Sequence, residues 1–194
     1  MCRDCGLACR VDVQQCYRCG VVTIGGRTCE NCAPLVRLTG VVVPGRYTGV
    51  LREAVLGLKF HRQQAVVDVL ATWLMEVVRS EQFDFVTSVP ISPARYRERG
   101  YNQSELLARA LVRRTGLRYR AVLGREGATH QLGAGRADRF RQVEGKFYST
   151  KRLHGERLLV VDDVITTGAT LEACAAELLA AGAGEVWGAA VARD

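Results

Sequence analysis

The chain is predicted to be α/β: a parallel sheet with helices on both faces, preceded by a small cysteine-rich metal module. Three observations predict this. Residues 158–170 read LLVVDDVITTGAT, a short apolar run that ends in paired acids and a Thr/Gly turn. Apolar runs of strand length alternate with helical patterns along residues 40–192, the order that builds a parallel sheet with right-handed crossovers. Seven of the eight cysteines lie within the first 32 residues. The division expected is residues 1–38 for the cysteine module and 39–194 for the α/β domain.

Within the α/β part, Val41, Val42, Val43 and Tyr47 flank Pro44-Gly45, a strand and turn. Residues 50–60 carry Leu51, Val55, Leu58 and Phe60 at helical spacing, and residues 63–79 repeat the pattern through Val66, Leu70, Trp73, Leu74 and Val77. Residues 83–89 read as a core strand stopped by Pro90. A helix follows over residues 103–115, with Asn102 as its cap. Residues 124–150 are polar and glycine-bearing without a clear period, which suggests a mobile loop. A strand over 158–165, a helix over 171–181 and a last strand over 185–192 complete the set. Ligands of such sheets bind beyond the carboxyl ends of the strands. Ser88, Val89 and Pro90 therefore share a rim with residues 162–170.

That rim carries the chemistry. A turn entering a helix offers free N–H groups and a positive dipole end, which suit a phosphate. Gly168 can take positive φ and let the backbone approach a ligand. Thr166, Thr167 and Thr170 add hydroxyl donors, and Ala169 lies between them. Asp162 and Asp163 repel phosphate but can hold sugar hydroxyls or Mg²⁺ beside it. The ligand read from this stretch has a phosphate next to a diol or metal. A P-loop ATPase is excluded: Gly145-Lys146-Phe147 lacks both the hydroxyl residue and the earlier glycine. Arg95 and Arg99, four residues apart, can share a helical face and grip a pyrophosphate through bidentate donors. Lys59-Phe60-His61, after an amphipathic helix, has two readings: approach to the site, or a helix end where cations complement the dipole, the second being preferred. His130 in the polar loop is a weak candidate base.

Net charge is +7, and 24 of the 27 basic residues are arginine, a balance that suits phosphate-rich ligands or nucleic acid. Residues 92–120 hold eight arginines against two glutamates, and aromatics for base stacking are few there (Tyr96, Tyr101 and Tyr119), so nucleic-acid affinity is expected to be mainly electrostatic and salt-sensitive. No apolar run of about 18 residues is present to form a membrane span. The first residues lack a signal-peptide core, so a cytoplasmic protein is expected. Cytosolic thiols favour metal over disulfide. Cys16-x₂-Cys19-x₉-Cys29-x₂-Cys32 has zinc-ribbon spacing, with Gly20 after the first knuckle. Cys2, Cys5 and Cys9 look like part of a second ribbon, and Cys2/Cys5 with Cys16/Cys19 is a rival pairing. No knuckle leaves an open position, so the zinc is expected to be structural. Cys174 reads as a small core residue.

The LLVVDDVITTGAT stretch resembles the signature of type I phosphoribosyltransferases. The resemblance implies that Asp162 and Asp163 contact the ribose hydroxyls of phosphoribosyl pyrophosphate and that the 166–170 turn wraps its 5′-phosphate, with Mg²⁺ accompanying the ligand. Hypoxanthine/guanine enzymes place an aspartate base where this chain has Thr166, so that purine-salvage subtype does not match. The cysteine knuckles, Leu58-Lys59-Phe60, Val89-Pro90 with Arg95-x₃-Arg99-Gly100-Tyr101-Asn102-Gln103, and Gln131 with Arg136-x₂-Arg139-Phe140 extend the likeness over nearly the whole chain. Together they resemble the ComF family of competence proteins. Departures are the incomplete first ribbon and Gln142, where the family usually has Asn. This resemblance implies a phosphoribosyltransferase fold behind a zinc ribbon and a role in single-stranded DNA uptake during natural transformation. The partners it implies are phosphoribosyl pyrophosphate, single-stranded DNA and a motor or channel of the uptake machinery, with a place in the cytoplasm or at the inner face of the membrane. Transfer of a phosphoribosyl group, a nucleic-acid module with a vestigial or sensory site, and an adaptor are the three activities it leaves open.

Overall fold

The computed structural model describes residues 8–11, 13–61, 63–79, 82–126 and 146–194. Its elements run β1 (Gly40–Val42), β2 (Gly45–Arg46), α1 (Gly49–Phe60), α2 (Val67–Val77), β3 (Phe85–Ser88), α3 (Pro93–Arg99), α4 (Gln103–Thr115), β4 (Leu123–Arg125), β5 (Phe147–Ser149), β6 (Arg157–Ile165), α5 (Ala169–Ala180) and β7 (Glu185–Arg193). The main sheet has the order β1-β7-β6-β3, with β2 also paired to β7, and every pairing in it is parallel. β6 and β7 form its centre, in register from Arg157 opposite Glu185 to Ile165 opposite Arg193.

Strand side chains alternate between two cores, as a sheet covered on both faces requires. Leu159, Val161, Trp187 and Val191 pack with Leu51, Leu58, Leu70, Leu74, Leu107 and Leu111 of α1, α2 and α4. Leu158, Val160, Val186 and Ala190 face Leu171, Cys174, Ala175 and Leu178 of α5 on the other side. The α5 face also takes Tyr17 and Leu38, so the cysteine module covers part of it. Cys174 is fully buried there, as expected.

Helix α4 has the bounds read from the sequence, because Asn102 caps it by accepting from the Ser104 amide at 3.1 Å and left-handed Gly116 ends it. Residues 63–79 differ: a 3₁₀ turn, Gln64–Val66, precedes α2, and the helix stops at Val77. The polar stretch 124–150 holds more order than its composition suggests. Its described ends, β4 and β5, pair antiparallel from Leu123 opposite Ser149 to Arg125 opposite Phe147. Three-residue strands are too short to show a period of two. Residues 127–145, including His130, Gln131, Arg136, Arg139, Phe140 and Gln142, lie outside the described residues, as do Cys2 and Cys5.

Candidate functional site at the carboxyl end of the sheet

Strands β3 and β6 end side by side, and the chain leaving β3 is tied to β6 by the Val89 amide donating to Val161 O at 3.0 Å. Between them opens a cavity of about 350 Å³. Its wall includes Lys59, Arg95, Arg99, Ser104, Arg125, Asp162, Asp163 and Thr170. Six of these carry a formal charge, and those six come from four elements, α1, α3, β4 and β6.

Asp163 is buried at 3% exposure. One of its oxygens takes the Lys59 ammonium at 2.7 Å, and Oδ2 has no hydrogen-bond partner among the described residues. A buried carboxylate oxygen left over in this way is expensive unless a ligand completes it. Asp162 Oδ1 accepts from Ser104 Oγ at 2.8 Å and from the Asp163 amide at 2.9 Å. Burial, and next the adjacent Asp163 charge, push the Asp162 carboxyl up to about 7, against the pull of those two donors and Lys59.

Across from them, Ser92 caps α3 by accepting from the Arg95 amide at 3.3 Å, and left-handed Gly100 closes the helix. Arg95 and Arg99 thereby point one turn apart on one short helix. Arg99 donates to Gln103 Oε1 at 3.0 Å and lies 5.2 Å from the Phe60 ring centre. Its Nε has no partner among the described residues. Arg125 arrives from β4. Burial and then the Arg95 charge lower its pKa, so two guanidinium groups crowd a space that an anion would relieve.

The turn after β6 bends where Gly168 takes φ 82° and begins α5. Thr167 Oγ1 accepts from the Ala169 amide at 3.4 Å. Thr170 reaches the cavity wall, whereas Thr166, Thr167, Gly168 and Ala169 follow Asp163 along the rim without lining it.

Four cysteines form a second cluster. The Sγ atoms of Cys16, Cys19, Cys29 and Cys32 all lie within 4.8 Å of one another, a set that can hold a metal ion. Cys19 and Cys29 sulfurs are 3.6 Å apart. Tetrahedral Zn–S bonds of about 2.3 Å place sulfurs roughly 3.8 Å apart, so the donor set fits zinc. Burial tends to raise the Cys16 thiol, but amides of Cys19, Cys29 and Arg18 outweigh it and hold Cys16 down at about 6. Amide donors toward a thiolate are what a metal knuckle supplies. Cys2 and Cys5 of the rival pairing lie outside the described residues. Cys9 is a buried residue whose thiol donates to Thr48 O at 3.3 Å.

Lys59, Ser104 and Arg125 also enter the site. Of the two readings of Lys59, approach to the site and complement to its helix dipole, the structure has the first: it turns inward to Asp163. Ser104 follows the Asn102 cap by two residues, so the cap sets its direction. Nothing local marks Arg125. Two of the few aromatics read for stacking are engaged elsewhere. Tyr101 is buried with its hydroxyl donated to Leu58 O, and Tyr119 lies 4.3 Å under the Arg109 guanidinium. Tyr96 alone of the three is well exposed, at 53%.

No protein-family model matches the chain. It is 33% identical to DNA utilization protein YhgH of Salmonella typhimurium over 96% of this chain and 88% of that protein. It is 27% identical to competence protein ComFC of Streptococcus pneumoniae over 96% of this chain and 84% of that one. Among solved structures, the purine phosphoribosyltransferase of Pyrococcus horikoshii overlays 66% of this chain and 82% of its own, at 20% identity and a TM-score of 0.43.

Proposed function

Since the chain belongs to the family of DNA utilization protein YhgH and competence protein ComF, we propose that it serves DNA uptake and binds phosphoribosyl pyrophosphate at the β6 end. One observation carries the reading: paired acids and converging cations share a single cavity beside a phosphate-type turn. Ribose hydroxyls donate to Asp162 and to the free Oδ2 of Asp163. The 166–170 turn, with its amides and the hydroxyls of Thr166, Thr167 and Thr170, takes the 5′-phosphate. Arg95, Arg99, Arg125 and Lys59 face the pyrophosphate. Mg²⁺, when bound with the ligand, neutralises the pyrophosphate as a leaving group. Asp162 and Asp163 are the residues that would hold the Mg²⁺, Asp163 through its free Oδ2.

The residues present suit phosphoribosyl transfer. Charge developing at C1′ is stabilised by Asp162 and Asp163, and the leaving anion by the arginines. Thr166 offers no base at neutral pH, so the position that carries an aspartate base in hypoxanthine/guanine enzymes does not supply one here. Residues 1–38, with structural zinc on Cys16, Cys19, Cys29 and Cys32, form the module proposed to dock a motor or channel partner, and residues 39–194 the phosphoribosyl domain. Among the described residues no helix is long and apolar enough to cross a membrane; the proposed place of work is the cytoplasm or the inner face of the membrane.

Calorimetric titration of zinc-replete protein with phosphoribosyl pyrophosphate tests the reading. Binding that requires Mg²⁺ is expected, and no heat from folded protein refutes it. Single-stranded DNA binding is proposed through the arginines of residues 92–120. With only Tyr96 exposed for stacking, it should be mainly electrostatic and weaken at least tenfold between about 50 and 200 mM salt. Fluorescence anisotropy with a labelled oligonucleotide measures this.

A further inference from the structure

A set of contacts outside the cavity joins the cysteine cluster to the turn after β6. Tyr17 directly follows Cys16. Its ring is buried, and its hydroxyl donates to Glu172 Oε1. Glu172 stands in the first turn of α5 and also accepts from the amides of Arg37, at 2.8 Å, and Leu38, at 3.0 Å. Arg193, at the end of β7, donates to Tyr17 O at 2.8 Å. The Tyr17 ring lies directly against the turn: a Cβ at Gly168 would stand 3.0 Å from its Cδ2 and Cε2.

The residues touching α5 therefore lie inside the first knuckle, at position 17, and beyond the second, at positions 37–38. The 16–32 segment buries few side chains of its own, and in such segments the metal supplies the fold. Without the ion, the knuckle backbone that carries Tyr17 loses its cross-link, and only the bonds to Glu172 and Arg193 are left to hold the ring against Gly168.

We infer that the metal-loaded cysteine centre positions the phosphate turn through Tyr17 and Glu172, so that metal occupancy and phosphate-ester affinity are coupled. The inference rests on the reading of 166–170 as that turn. Tyr17 and Glu172 are positioning residues, since neither lines the cavity. Coupling is reciprocal: metal tightens the ester, and the ester retains the metal by the same factor, about 5–50-fold.

The test uses the full chain in three forms: zinc-loaded wild type, chelator-stripped wild type and zinc-loaded Tyr17→Phe, which keeps the ring and loses the donor. Hydrogen exchange of the 168–173 amides should accelerate about tenfold or more in the stripped form and in Tyr17→Phe, while β6 and β7 stay protected. Ribose 5-phosphate affinity should fall about 5–50-fold in both, and saturating ribose 5-phosphate should slow zinc extraction from wild type but not from Tyr17→Phe. A zinc-loaded Tyr17→Phe that matches wild type in exchange, affinity and zinc retention overturns the inference, even if stripped protein unfolds. Wild type that binds the ester with an affinity indifferent to Tyr17 overturns the coupling alone. Wild type that binds no ester overturns the coupling together with the reading of the turn.

Discussion

The cysteine cluster and the strand-end cavity are both gatherings of ionisable groups, and they differ in what they leave over. Four thiols face one another within 4.8 Å and offer a complete tetrahedral set with no position to spare. The cavity is incomplete. Asp163 Oδ2 and Arg99 Nε are buried without partners among the described residues, and Arg95 and Arg125 repel each other across open space. A closed set stabilises a fold, whereas an open one is ready to receive something. The same distinction assigns the zinc a structural part and the cavity the chemistry.

The comparison can be broken most forcefully at the cysteines. Cys29→Ser should abolish zinc retention and lower Tm by about 10 °C, because the segment loses the ion that folds it. Metal analysis beside a thermal scan measures both. A variant that keeps its Tm would make the cluster dispensable. Asp163→Asn should instead leave zinc content unchanged and weaken phosphoribosyl pyrophosphate about 100-fold, through loss of a charge-assisted acceptor, as read by calorimetry.

Gly168→Ala sharpens the contrast where the two regions meet. The position has φ 82°, and the added methyl would press the Tyr17 ring, so Tm should drop by roughly 4–8 °C and ester affinity with it. The smallest effect concerns Asp162. Its carboxyl is raised to about 7 in the folded state from 3.8, so the folded chain binds the extra proton between those values. Stability from this group is therefore greatest at acid pH, declines as pH rises from about 4 to 7, and is flat above. Asp162→Asn should remove that decline and raise Tm by about 2–4 °C at pH 8, with little change at pH 4. Ester affinity in wild type should improve as pH rises through 7 and Asp162 ionises, and in Asp162→Asn that component should vanish.

Short-range signals were readable in advance. Asn102 and Gly116 bound α4 because capping is a matter of neighbouring residues. The β6–turn–α5 stretch was visible because strand, acids, turn and helix follow one another without interruption. Residues whose role depends on a distant partner were not readable. Lys59 meets Asp163 across 104 positions of chain, and Tyr17 meets Glu172 across 155. Arg125 reaches the cavity only because β4 pairs with β5, and strands that short carry no periodic signature.

By itself the sequence determined the α/β class, the donor spacing of the cysteines and the acid–turn–helix order, since each depends on residues close together in the chain. Only the tertiary structure decided which cation neutralises Asp163, which hydroxyl braces Asp162 and which side chains of the cysteine module rest on the phosphate turn. The physical reason is that parallel crossovers bring remote segments to one edge of the sheet, and the angles at which helices pack on it choose which side chains meet there.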